Sequence, residues 1–318
     1  MSLNVVPYRS EHADEWDRFV LDNSVNGTVF HTRNFLSYHP DDRFTDTSIL
    51  LRDGDATVCV VPACEGDHGS FSHAGSSYGG PVVHPDYYRM KRLSKIVDRI
   101  LDHYEDGFEA RLAPSIFGHR LNDPIVYMVG RTHRVVRELS VYKDLRVDDL
   151  LNSFRSRRTQ TTVRSAFEEG FVAEATDDTE DYKAFYDILE DNLAYHGVTP
   201  THTLEELLDL KRRLGDQQAL VVGRNSNGNL VSGTWVVKAS RRAWHNLYIA
   251  KDYDRGGHEA TPCALYRSMT LAKEAGTDYM NFGICTEDRG ETMNLGLFDF
   301  KESLGGETIN RYQLLADE

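Results

Sequence analysis

The residues best suited to chemistry lie between Tyr279 and Gly306, in YMNFGICTEDRGETMNLGLFDFKESLGG. Glu287 and Asp288 are carboxylates that can accept a proton. Lys301 is a single cation set behind Phe298 and Phe300. Outside this stretch, Tyr248, Tyr253 and Tyr266 can donate protons, and each also reads as a packing tyrosine. His196 stands just before Gly197, where it is either a group that titrates near neutrality or a helix C-terminal histidine favoured by the dipole. A second cluster, LLNSFRSRRTQTTVRSAFEEG, gathers Arg155, Arg157, Arg158 and Arg164. On a helix Arg157 and Arg164 share a face, which makes either a clamp for phosphate or carboxylate or a solvated surface that balances nearby acids.

These groups need elements to hold them. Apolar spacing predicts a strand at Leu3–Tyr8, then a helix capped by Ser10 that buries Trp16, Phe19 and Val20. A short helix is expected in FHTRNFLSY (residues 30–38). Asp53-Gly54-Asp55 between two apolar runs predicts a hairpin. Leu93, Ile96, Val97, Ile100, Leu101 and Tyr104 define an amphipathic helix, and Phe108–Leu112 a strand after it. The second half repeats this order with an offset of about 170 residues. A helix carries Phe185, Ile188, Leu189 and Leu193. A second starts at Thr203, with Glu206 completing a capping box. A hairpin turns at Asn227-Gly228, and a strand runs over Ala243–Ala250. A helix follows, with Thr261 as its cap and Pro262 in its first position, and Tyr279–Phe282 is the next strand. Free N–H groups at the start of the Pro262 helix suit an anion such as a diphosphate or an oxyanion.

Composition narrows the function. The 318 residues suffice for two domains, and no apolar run is long enough to span a bilayer. The acidic N-terminus has no signal-peptide core, so a cytoplasmic protein is expected. With 30 Asp and 27 Arg against 9 Lys, and a net charge of −14, the chain has the composition of a protein adapted to high salt. Such acidity disfavours broad nucleic-acid binding and DNA as a partner. Cys59, Cys64, His68 and His73 lack the spacing of a zinc finger, and no metal is expected.

Several segments resemble the FemAB-like branch of the GNAT (GCN5-related N-acetyltransferase) acyltransferase superfamily. FHTRNFL, SYGGP, RRTQTTVRSAFEEGF, NLAYHGVTPTH, NFG and GLFDFKESLGG match its elements in order over nearly the whole chain. The resemblance implies an α/β (α+β) fold of two tandem GNAT-like mixed-sheet domains. The first would span residues 1–150 and the second 151–306, with residues 307–318 as a terminal strand returning to the first domain. It implies transfer of an acyl group from acyl-CoA to an amine of an envelope-glycan or nucleotide-sugar precursor. The alternatives are aminoacyl transfer from aminoacyl-tRNA and a non-catalytic ligand-binding module. Lys301 would sit at the reaction centre, with Glu287, Tyr248 and His196 as further catalytic candidates. Arg164, Arg158, Arg255 and Thr261 would bind substrate or phosphate. Arg255–Ala260 occupies the place of the family's diphosphate loop, but His258 stands where that loop has glycine.

Overall fold

The computed structural model describes residues 3–40, 42–195 and 197–316. The chain order is β1 (Leu3–Pro7), α1 (Ala13–Asp22), α2 (Arg33–Leu36), β2 (Ile49–Asp53), β3 (Ala56–Val61), β4 (Cys64–Gly66), β5 (Gly69–Ser72), β6 (Val82–Val83), α3 (Met90–His103), β7 (Phe108–Arg111), α4 (Asp123–Val129) and β8 (Arg134–Asp144). It continues with α5 (Arg157–Glu168), β9 (Val172–Thr176), α6 (Thr179–Tyr195), α7 (Leu204–Leu214), β10 (Gln218–Arg224), β11 (Leu230–Lys238), β12 (Ala243–Lys251) and α8 (Ala260–Glu274). It ends with β13 (Tyr279–Ile284), the two-residue strands β14 (Thr286–Glu287) and β15 (Thr292–Met293), α9 (Leu295–Ser303) and β16 (Glu307–Leu315). Two compact units result. Unit 1 runs to Leu139 and adds Thr286–Thr292 and the chain from Ile309; unit 2 takes Ser140–Cys285 and Met293–Thr308.

In unit 1 the strand order β1-β2-β3-β6 makes one sheet. Alternation divides its residues between two faces. Leu50, Val60 and Val82 pack on Trp16, Phe19 and Val20 of α1. Ile49, Leu51, Cys59, Val61 and Val83 pack with Leu93, Ile96, Val97 and Ile100 of α3. β4, β5, β7 and β16 form a second run, in which β5 is parallel to β7 and β16 antiparallel to it. Ser10 does not cap α1. It opens a 3-10 turn, Ser10–His12, and His12 takes the cap position. Arg33 of the FHTRNFL segment is buried, with its guanidinium carbon 3.5 Å from the Tyr8 ring centre and 4.3 Å from that of Trp16. Its Nη1 lies 2.6 Å from Asp46 Oδ2.

Unit 2 has the strand order β8-β13-β12-β11-β10-β9, antiparallel except for the pair β12–β13. Tyr182, Phe185, Tyr186 and Leu189 fix the buried face of α6. The expected Thr203–Glu206 capping box starts α7. The order helix, helix, hairpin, strand, helix, strand occurs in both units. In each, the closing strand is parallel to a strand that precedes the helix, β7 to β5 and β13 to β12.

A buried polar chain fixes the centre of the unit 2 sheet. Asn281 is fully buried. Its Nδ2 donates to Ser140 Oγ at 2.8 Å, and its Oδ1 lies 2.9 Å from both His245 Nδ1 and the backbone N of Gly283. Each of those groups loses its partner if the amide is removed, at about 1–3 kcal/mol for a buried unsatisfied donor or acceptor. Asn281→Leu is therefore expected to lower stability by about 3–5 kcal/mol, read from the urea midpoint of unfolding. An unchanged midpoint would mean that the network contributes nothing.

Candidate active site

β12 and β13 are paired only at Ala243–Tyr279, Trp244–Met280 and His245–Asn281. Beyond those three positions they part, and a bulge on each strand accounts for it. In β12 the ladder to β11 jumps from Trp235–Tyr248 to Val236–Asn246, so Leu247 is the extra residue. In β13 the ladder to β8 jumps from Asn281–Tyr142 to Ile284–Ser140, so Phe282 and Gly283 stand opposite Val141 alone. Bulges bend and twist a strand, here in two neighbours at nearly the same level. The resulting fork holds a cavity of about 200 Å³, lined by Ile249 and Lys251 of β12, Thr261 and Leu265 of α8, Phe282 of β13, and Phe300 and Lys301 of α9.

Lys301 is the charged group of this fork. It is only 4% exposed, and its Nζ donates to the carbonyls of Ile284 at 2.6 Å and Gly283 at 3.2 Å. Gly283 has φ +74°, and the bulge removes this segment from regular pairing with β8, so its carbonyls can serve Lys301. This is the physical content of the Asn-Phe-Gly sequence. Among the described residues no carboxylate forms an ion pair with Lys301. Burial lowers its pKa to about 8, and the neighbouring Cys285 acts in the opposite sense. At neutral pH it is therefore a cation that uses two of its three N–H groups on backbone carbonyls. The end of α9 fixes its position. The N–H of Gly305 bonds to Glu302 O at 2.8 Å and that of Gly306 to Lys301 O at 3.1 Å, with Gly305 at φ +78°.

No protein-family model matches the chain, and no curated protein does. Solved structures do match it. FemX is 14% identical, with 98% of this chain and 97% of that one covered and a TM-score of 0.71. The C-terminal domain of a putative lysylphosphatidylglycerol synthetase from Agrobacterium fabrum is 12% identical, with 97% and 93% covered and a TM-score of 0.62. A tandem GNAT protein from the clavulanic acid biosynthesis pathway is 12% identical, with 100% and 99% covered and a TM-score of 0.54. The chain has the FemAB-like tandem GNAT fold. At these identities the likeness concerns architecture, and chemistry must come from the residues of the site.

Within this FemAB-like fold the expected site residues are scattered. Lys301 and Thr261 line the same cavity. Thr261 is not the helix cap, because α8 begins two residues earlier, with Glu259 in the cap position and Thr261 and Pro262 in the first turn. That turn tolerates proline because its N–H would have no helical partner. Tyr248 does not line this cavity; its hydroxyl lies 2.7 Å from His202 Nδ1 and accepts the His202 N–H at 3.2 Å. It pins the segment that enters α7, and burial raises its pKa. Arg158 and Arg164 are exposed on α5, where Arg164 Nη2 donates to Asn152 Oδ1 at 3.3 Å, and neither lines the fork. Glu287 is exposed and belongs to unit 1. His196 lies outside the described residues. Among the described residues no group of three or more His, Cys, Asp or Glu is placed to hold a metal ion, and no helix is long and apolar enough to cross a membrane. Sequence reasoning missed His202, His245 and Asn281. Only the Asn-Phe-Gly triplet pointed to the last of these.

The GNAT fold implies a CoA diphosphate at the first turn of α8, and the residues there do not fit one. Arg255, the cation of the loop, is tied to Asp252 at 2.5 Å. Glu259 holds the cap position with its carboxylate folded against Gly257, so close that a Cβ there would lie 2.1 Å from Oε2. The Glu259 side chain makes no cap hydrogen bond, but a carboxylate beside a helix N-terminus repels a second anion.

The buried lysine sets a pH dependence of stability. Lys301 loses its proton at about pH 8 in the folded chain but near pH 10.5 when unfolded. Between those values the unfolded chain binds more protons, so stability rises with pH, by roughly 3 kcal/mol over the window. Urea unfolding of the wild type and Lys301→Met at pH 7.5, 9 and 10 should show that increment as a difference between the two curves. Parallel curves would mean that Lys301 is not desolvated.

Proposed function

We propose that this chain transfers an acyl or aminoacyl group from an activated ester or thioester to a primary amine, at the fork between β12 and β13. The observation that carries the reading is Lys301, a cation buried beside an apolar cavity with no carboxylate counter-ion among the described residues. A buried charge is costly unless something compensates it, and a group that becomes negative only during reaction does so when it matters. In amide formation the amine nitrogen attacks the carbonyl carbon, and the oxygen carries the developing charge. The remaining N–H of Lys301 would hold that oxyanion while the bond to the leaving group breaks and the leaving group takes up a proton. The apolar walls, Ile249, Leu265, Phe282 and Phe300, would exclude water from the activated acyl group.

FemAB-like kinship favours an amine of an envelope-glycan precursor as acceptor, and the lysylphosphatidylglycerol synthetase among the neighbours is named for an aminoacyl product. Glu259 favours an aminoacyl ester over acyl-CoA as donor, because a CoA diphosphate would meet its carboxylate at the first turn of α8. Coenzyme A should therefore not raise the melting temperature of the wild type, whereas Glu259→Gln should make a shift measurable. A clear shift in the wild type would restore acyl-CoA as the donor.

Lys301→Ala should reduce turnover about 100- to 1,000-fold, the usual effect of losing one oxyanion donor, while thermal unfolding stays cooperative. Wild-type turnover should also fall as pH rises through about 8, as Lys301 becomes neutral. Turnover that survives the substitution removes Lys301 from the reaction.

A further inference from the structure

Lys301 has a second chemistry that the oxyanion role does not use. Two N–H groups of its Nζ are spent on the carbonyls of Gly283 and Ile284, at 3.2 and 2.6 Å. A tetrahedral nitrogen bonded to Cε then has one position left, on a side chain that lines the fork cavity. In the ammonium that position is a third N–H. In the neutral amine it is the lone pair, and both carbonyl contacts survive the loss of the proton. The same two carbonyls therefore orient a donor in one protonation state and a nucleophile in the other. Desolvation brings the pKa of Lys301 down to about 8, so roughly a tenth of it is already neutral at pH 7.

The groups around Lys301 do little to hold the proton. Among the described residues no carboxylate forms an ion pair with it. Cys285, which follows Ile284, would favour the cation only as a thiolate, and burial raises its own pKa. Lys251 of β12 lines the same cavity with a charge of like sign, and Thr261 and Leu265 of α8 carry none. On α9 itself, Asp299 is exposed and Glu302 is paired with Arg155. Burial alone does not make such a site. Lys143 is equally buried and donates to Ser153 O at 3.0 Å, but Glu307 and Asp144 favour its charge, and it is not among the residues of the fork cavity.

We propose that Lys301 is a site of covalent acylation: a short uncharged acyl group that reaches the fork as a thioester or activated ester is captured on Nζ as an amide. The neutral nitrogen forms a C–N bond to the acyl carbon. The C–S or C–O bond breaks, its electron pair leaves with the sulfur or oxygen, and the leaving group takes up the proton that the nitrogen releases. The amide is uncharged and cannot hold an oxyanion as the ammonium would, so acylation silences the fork. The nucleophile does not depend on the transferase reading; the silencing rests on it.

The test treats the full chain with limiting p-nitrophenyl acetate, and separately with the acetyl thioester of N-acetylcysteamine, at pH 7, 8 and 9. Neither reagent carries a diphosphate. Hydroxylamine then strips acetyl from thiols, and peptide masses locate what remains. Lys301 should be acetylated at least tenfold faster than Lys251 or Lys143, and Lys301→Met should lose the fast site. The Lys301 rate should rise roughly tenfold from pH 7 to pH 9 and level off, where a lysine of ordinary pKa would climb about a hundredfold. The inference is overturned if acetyl spreads evenly over the lysines, if Lys251 or Lys143 reacts first, if hydroxylamine removes all the label, or if the Lys301 rate climbs without levelling. Fast labelling of Lys301 in a chain that turns over no donor would uphold the nucleophile and sink the transferase reading alone. Full turnover by chain acetylated at Lys301 would sink the silencing.

Discussion

A lysine ammonium buried without a carboxylate partner among the described residues is a constraint that the rest of unit 2 has to meet. Its desolvation cost is offset only in part by two carbonyls, those of Gly283 and Ile284, because neutral acceptors compensate a charge less well than an ion pair does. The carbonyls are available because β13 is bulged, and the bulge depends on Gly283 taking a positive φ. The lysine reaches them because α9 stops at Gly305-Gly306. A side chain at Gly305 would meet Lys143 Nζ and the carbonyl of Ser153. The signature NFG…FKESLGG is therefore one mechanical unit whose glycines place a cation.

The duplicated element order shows why the fork belongs to unit 2. Unit 1 also has a parallel pair, β5 and β7, paired at Ser70–Phe108, Phe71–Glu109 and Ser72–Ala110. There the line of contact is taken up again by a parallel bridge between Gly79 and Leu112, with the Gly79 N–H on Arg111 O at 2.7 Å. Buried Tyr78 fills the adjoining space against Phe30 and Phe117. The SYGGP segment thus closes in unit 1 the kind of opening that unit 2 keeps. Equivalent topology gives a packed core in one copy and a cavity in the other, and side chains decide which.

Much of this was legible in the sequence. The periodic helices, the Asp-Gly and Asn-Gly hairpins and the Thr203 capping box are local signals with local causes, and they appear as read. The errors came where a local signal competes with a tertiary one. Thr261-Pro262 looks like a cap followed by a first-turn proline, yet Glu259 holds the cap position because the helix starts two residues earlier. Other contacts have no local signal at all: the Tyr248 hydroxyl meets His202, a partner 46 residues away that no spacing rule reveals. The arginines of α5 do lie on a helix, where Arg164 is exposed and bonds to Asn152. A helical face says which residues are together, not what they face.

The acidity of the chain invites a global explanation, but part of it is concentrated in one place. Surface aspartates spread for solubility need no relation to buried polar groups and are largely screened by salt. Asp187, Asp191, Asp252 and Asp254 instead line one cavity of about 630 Å³ after β12, and concavity concentrates the field that a flat surface would disperse. The same field opposes a diphosphate at the start of α8, where Glu259 already stands. One charge pattern therefore runs from that cavity to the first turn of α8, and it disfavours an anion at both. Lys301 stands apart from these carboxylates, in the smaller apolar cavity, so the two signs of charge are held on separate walls and do not cancel.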